Sequence, residues 1–85
     1  MRVIFCNLQL FSCDQMLYVI EDNQQIHARK VDIEDVVPVI CALAQEFDVE
    51  QIKLSGHVYA SAWAENIKST YALQYGKNNL DVEVI

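Results

Sequence analysis

Apolar and polar positions fall into three extended runs followed by a helix, a strand, a helix and a strand. Residues 2–11 are apolar on both alternating faces: Val3 and Phe5 point one way, and Ile4, Cys6, Leu8 and Leu10 the other. A strand of that kind is expected in the middle of a sheet covered on both sides. Met16 to Ile20 is a second strand, rich in β-branched and aromatic residues. Glu21 to Gln24 reads as a turn, and Gln25 to Val31 as a third strand, more polar and carrying the charges that suit a sheet edge. Short links between the three predict an antiparallel meander.

Asp32 to Asp35 then supplies caps and early negative charge for a helix. With Asp35 as N-cap, Pro38 is the third helical residue, where no intrahelical amide bond is lost. Val36, Ile40, Leu43, Ala44 and Phe47 form its core stripe. Val37, Val39, Cys41 and Ala42 make its other faces apolar too, so a second surface is expected to cover part of it. Gln51 to Ser55 is a fourth strand, and Gly56 turns the chain into a second helix over 57–75. The apolar stripe there is Ala60, Trp63, Ala64, Ile67, Tyr71 and Tyr75. Gly76 suits a left-handed C-cap, and Asp81 to Ile85 is a fifth strand with Val82 and Val84 toward the core. Right-handed crossovers with the first strand central give the sheet order 3-2-1-4-5, with strand 2 antiparallel to the other four. Helices are expected on the two faces. The fold class is α/β, β-β-β-α-β-α-β, a five-stranded mixed sheet with two helices in one domain spanning 1–85.

Charge and cysteine content narrow the function. Six Lys+Arg stand against twelve Asp+Glu, a formal charge of −6. The basic stripe of a nucleic-acid binder is missing, and the acidity is the kind that keeps an apolar domain in solution. Cys6, Cys13 and Cys41 show no CxxC spacing, and no Cys and His pair at ligand spacing, so no metal and no cofactor is expected. No secretory leader opens the sequence and no apolar stretch approaches the ~20 residues of a membrane span. Buried thiols in a reduced cytoplasmic protein are the expectation.

The segment order resembles the ribonuclease-H-like superfold. Val3-Ile-Phe-Cys-Asn-Leu-Gln and Met16-Leu-Tyr-Val-Ile-Glu-Asp resemble the opening hairpin of a Holliday junction resolvase. Gln51-Ile-Lys-Leu-Ser-Gly-His, Ala62-Trp-Ala and Leu80-Asp-Val-Glu-Val are similar to the strand–glycine–helix–strand segment of the sugar-kinase-like members of the actin-like group. The resemblance implies a sheet whose first and fourth strands carry the metal-binding carboxylates in the nucleases. Here Asn7 stands at the first-strand position, Ser55-Gly56 ends the fourth strand, and the acidic C-terminal helix has no counterpart. Clustered carboxylates are needed to hold Mg²⁺ against a phosphate, so the departures argue against that chemistry.

The candidate ligand site is Asn7, Ser55, Gly56 and His57, where amides at a helix N-terminus could hold an anion. An ordinary strand-to-helix turn is the simpler reading, with Asn7 a buried amide satisfied by a neighbouring loop. Asp14, Asp22 and Asp81 are the carboxylates that could group with Asn7. His27 is read as a solvated strand residue, Cys13 as a structural thiol, and Tyr59, Trp63, Tyr71 and Tyr75 as core or interface rather than a stacking platform. Candidate interface residues are Val37 and Cys41 on the first helix and Asp81, Val82 and Val84 on the last strand.

Together these point to a non-enzymatic interaction module, self-associating as a homodimer, with a further protein partner and no membrane or nucleic acid; an origin in a phage or mobile element is a guess that fits its size. Rival readings are a degenerate or residual metal-dependent nuclease and an acidic inhibitor that imitates DNA. The mimic suits the sequence less well. Its acidic residues fall mainly at Glu21-Asp22, at 32–35 and at 46–50; the last two groups flank the two ends of one helix, roughly 18–20 Å apart at ~1.5 Å per residue, and form no continuous row.

Overall fold

The structure is a computed structural model and describes residues 1–9, 12–56 and 60–85. Its strands are β1 (Arg2–Asn7), β2 (Asp14–Glu21), β3 (Gln24–Asp32), β4 (Gln51–Ser55) and β5 (Asp81–Val84). A single 3₁₀ turn, Ile33–Asp35, leads into α1 (Val36–Glu46), and α2 (Ala60–Tyr75) joins β4 to β5. The sheet order is β3-β2-β1-β4-β5, with β2 antiparallel to both neighbours and the β1–β4 and β4–β5 pairs parallel. This is the expected order and polarity.

Local chemistry sets the element ends. Asp22 and Asn23 take φ of 50° and 67°, the left-handed pair that a two-residue hairpin needs and that Asp and Asn tolerate. Asp32, not Asp35, provides the side-chain cap: its Oδ1 accepts from the Glu34 amide at 3.0 Å, opening the 3₁₀ turn. Asp35 sits at the N-cap of α1 without such a bond. α1 closes through Asp48 at φ 53°, which lets the Val49 amide reach the Ala44 carbonyl at 2.9 Å. Gly76, at φ 65°, ends α2 with its amide on the Ala72 carbonyl, as its place in the sequence predicts.

One expectation fails in an informative way. Both helices lie on the same face of the sheet. The buried strand residues Ile4, Cys6, Leu17, Val19, Ile52, Leu54 and Val82 are register partners on one face, and they share a single core with Val36, Ile40, Leu43, Ile67 and Tyr71. The right-handedness of strand-to-strand crossovers gives this result. The β3-to-β4 and β4-to-β5 crossovers travel in the same direction across the sheet, so two right-handed connections land on one side. The apolar surround of α1 is met by the sheet and by α2. The second greasy face of β1, Val3 and Phe5, is left half-buried.

Two side chains, His27 and Cys13, behave differently from their sequence reading, and a third, Gln15, is buried despite its polarity. Gln15 is fully buried at the end of β2. Its amide accepts from the Gln9 amide at 2.8 Å and donates to the Gln9 and Ser12 carbonyls at 2.9 Å each, tying the β1–β2 connection to the sheet. His27 is not a solvated residue: it is half-buried on the helix side, tilted against Phe47 with ring centroids 5.1 Å apart, and its Nε2 is buried without a partner among the described residues. Cys13 is exposed, whereas Cys6 and Cys41 are buried as expected.

Burial pushes the Cys6 and Cys41 thiols from the ordinary 9.0 up to about 11. A thiol reagent at neutral pH should therefore modify Cys13 alone in the folded protein and all three cysteines in denaturant. Each buried thiol ionises more readily unfolded than folded. Its contribution to stability is thus complete below pH 9.0 and is lost as pH rises toward about 11. A Tm that holds level across that alkaline range, or fast labelling of Cys6 or Cys41, contradicts this.

Candidate functional site

Asn7 and Ser55 are register partners at the carboxyl ends of the parallel strands β1 and β4, the end of an open α/β sheet where ligands usually bind. The Ser55 hydroxyl donates to Asn7 Oδ1 at 3.2 Å, and the Leu8 amide donates to the Ser55 carbonyl at 2.8 Å. Gly56 follows at φ +90°, a conformation that a side chain rarely adopts. A Cβ on Gly56 would collide with Asn7 Oδ1 and would stand 2.8 Å from the Leu8 carbonyl oxygen. Asn7 therefore lies directly over the glycine. It is exposed, and among the described residues its side-chain partner is Ser55. Among those residues, the space a Cβ on Gly56 would need is taken by Asn7 and the Leu8 carbonyl. His57 lies outside the described residues, as does Tyr59.

The three carboxylates part company. Asp14 joins Asn7, Phe5, Gln9, Met16 and Tyr18 around a hollow on the face away from the helices. It also pairs with Lys30 at 3.4 Å. Asp22 is at the far hairpin, 3.6 Å from the amino group of Met1. Asp81 begins β5 opposite Gln51, at the other end of the strands from Asn7. Among the described residues no three His, Cys, Asp or Glu side chains come together as a metal site. One cation-paired carboxylate beside an amide and a hydroxyl is a poor ligand set for a hard divalent ion, which takes several charged oxygens.

The interface candidates separate by exposure. Cys41 is fully buried between the helices, its Sγ 3.6 Å from the Ile67 carbonyl, and Val82 belongs to the core. Neither can be offered to a partner without unfolding. Val37 is half-buried and lines a groove with Ile33, Glu34, Trp63 and Asn66. Tyr71 is buried and Tyr75 packs against it, ring centroids 5.2 Å apart, so these aromatics are core as expected. Asp81 and Val84 are exposed on β5.

The larger feature is one that residue-by-residue reading passes over. Val3 pairs with Ile20, and Phe5 with Tyr18, on the face that no described helix covers. Met16 extends this stripe at 36% exposure. The signal was present in the doubly apolar β1 together with the direction of the two crossovers.

No protein-family model and no curated protein matches the sequence. Solved structures do share its fold. A protein of unknown function with an actin-like ATPase fold from Bacteroides thetaiotaomicron VPI-5482 superposes with a TM-score of 0.65 at 14% identity, over 99% of this chain and 32% of that one. The PPX-GPPA enzyme of Aquifex aeolicus gives 0.55 at 23% identity, over 100% of this chain and 36% of that one. Archaeoglobus fulgidus Pelota gives 0.57 at 13%, over 99% and 26%. The chain has the ribonuclease-H-like architecture of an actin-like half domain, and it spans between 26% and 36% of the length of these proteins.

Closure of the strand end makes Gly56 the most sensitive position there. Gly56→Ala should destabilise the fold by about 2–3 kcal/mol, from unfavourable backbone and the clash with Asn7. Asn7→Ala in that background should recover only part of the loss, because the Leu8 carbonyl and the φ remain. Chemical denaturation of the two variants checks it; full recovery would locate the whole cost in the Asn7 side chain.

Proposed function

We propose that this chain is a non-enzymatic interaction module that works by covering its open sheet face, in the first instance with a second copy of itself. The supporting observation is the stripe of half-buried Val3, Phe5, Tyr18 and Ile20 with exposed Met16, on the face that no described helix covers. Contiguous apolar side chains on a sheet face are costly in water, and two such faces pack well at about 10 Å. The stripe lies on β1 and β2, inside the sheet, so a partner can cover it without disturbing the ladder. It also moves the expected dimer contact. The helix α1 has little left to offer, since Val36, Ile40, Cys41, Leu43 and Ala44 are already buried.

The nuclease reading is the weaker one. It would require a metal at Asn7 and Asp14, where the ligands are an amide and a carboxylate already paired with Lys30. No helix among the described residues is long and apolar enough to cross a membrane, and the membrane-free, cytoplasmic assignment remains part of the proposal.

Sedimentation at micromolar concentration should report a dimer. The double variant Phe5→Lys with Tyr18→Lys should shift it to monomer, while Val37→Glu should leave it unchanged. A monomeric wild type, or a dimer that responds to Val37→Glu alone, defeats the proposed contact.

A second expected outcome concerns chemistry. Mg²⁺ or Mn²⁺ should neither raise the Tm nor support cleavage of RNA, hybrid or branched DNA. Metal-dependent cleavage lost on Asp14→Asn would restore the nuclease.

A further inference from the structure

β5 ends the sheet, and its outer edge is unpaired among the described residues. The Asp81 amide donates to the Glu50 carbonyl at 3.1 Å and the Ile85 amide to the Leu54 carbonyl at 2.8 Å, both inward to β4. Alternation along a strand then turns the N–H and C=O groups of Val82 and Val84 outward. Natural sheet edges are commonly blunted by proline, lysine or a bulge. This edge carries none of these; its protection is a short strand with two carboxylates, Asp81-Val-Glu-Val, and Val84 is 43% exposed.

The two carboxylates decide what this edge can accept. Asp81 and Glu83 stand on the same face of β5, and one donor, Gln51 Nε2, holds both, at 3.1 Å and 3.2 Å. Neither forms an ion pair among the described residues, although Lys53 is the register partner of Glu83. A second copy pairing antiparallel about a twofold axis normal to the sheet keeps like faces together. It therefore sets these carboxylates against the same pair in its partner, and like charges directly opposed across strands are destabilising.

We infer that the β5 edge is a docking strand for an extended basic segment of another protein, one that alternates Lys or Arg with aliphatic residues. Main-chain bonds to Val82 and Val84 supply the attachment, and alternate side chains supply the selectivity. Basic side chains lie over Asp81 and Glu83 on the open face, and aliphatic ones lie beside Val84 on the helix side. This site is separate from the Val3–Phe5–Tyr18 stripe, so one copy can hold a like partner on its face and an unlike one on its edge.

The probes are capped peptides of alternating lysine and valine, and of alternating glutamate and valine, titrated into the isotope-labelled protein. The basic peptide should shift the amide signals of Val82, Val84 and Ile85, more weakly as salt rises, and should bind at least about tenfold more tightly than the acidic one. Val84→Pro should abolish binding. It removes an outward amide and leaves the inward bonds of residues 81 and 85 in place. Asp81→Lys with Glu83→Lys, both exposed, should reverse the preference toward the acidic peptide even if the proline variant fails to fold. Equal binding of both peptides, an unreversed preference in the lysine variant, or shifts confined to Phe5 and Tyr18 would overturn the inference. The dimer measured with Phe5→Lys and Tyr18→Lys reports on the open face separately, so either proposal can fail while the other stands.

Discussion

Both crossovers in this chain run the same way across the sheet, and a right-handed connection leaves each helix on the same side. Everything else in the structure follows from that constraint. One face gains two helices that pack against each other, and this makes a shared core that includes Val19 and Val82. The other face gains nothing from the described chain. Residues that would be ordinary core in a three-layer fold, Phe5 above all, are left half-covered. A two-layer fold of this size buries a limited share of its surface, and the remainder has to be met by association.

The carboxyl ends of β1 and β4 show how small substitutions change what a fold position can do. An amide at Asn7, a hydroxyl at Ser55 and a glycine at Gly56 close on one another through a 3.2 Å hydrogen bond and a tight backbone turn. Carboxylates in the same places would repel each other unless a cation lay between them. Here a hydroxyl donates to an amide oxygen, a neutral contact that needs no counter-charge between the two strand ends.

The sequence made the strand order legible because β3 is visibly polar and β1 visibly apolar, and a glycine marks the turn into α2 and the turn out of it. Element ends at Pro38 and Gly76 were legible for the same reason: those residues restrict or free the backbone locally. The placement of the helices was also contained in the sequence, but only through the direction of both crossovers taken together. Other features depend on tertiary contacts that no local pattern encodes. Gln15 sits at a position of β2 that reads as polar, yet it is buried by three bonds to the neighbouring connection. His27 looks solvated until Phe47 arrives from the end of α1. Cys13, between the polar Ser12 and Asp14 just ahead of β2, is exposed, as those neighbours allow, whereas its two relatives lie inside β1 and α1.

The turn at Asp22 and Asn23 has a consequence for the order of events during folding. Two residues already suited to left-handed backbone let β2 and β3 zip together through contacts close in sequence. The parallel pairs must instead close loops of 48 residues, as between Asn7 and Ser55, and of 30, as between Gln51 and Asp81. Loop closure on that scale is slow beside a hairpin. The β2–β3 ribbon is thus expected to form ahead of the parallel pairs, and the β1–β4 pair closes the longer of the two loops. For that interval the growing domain has unfinished strand edges, a time when its acidity guards against clumping with its own kind.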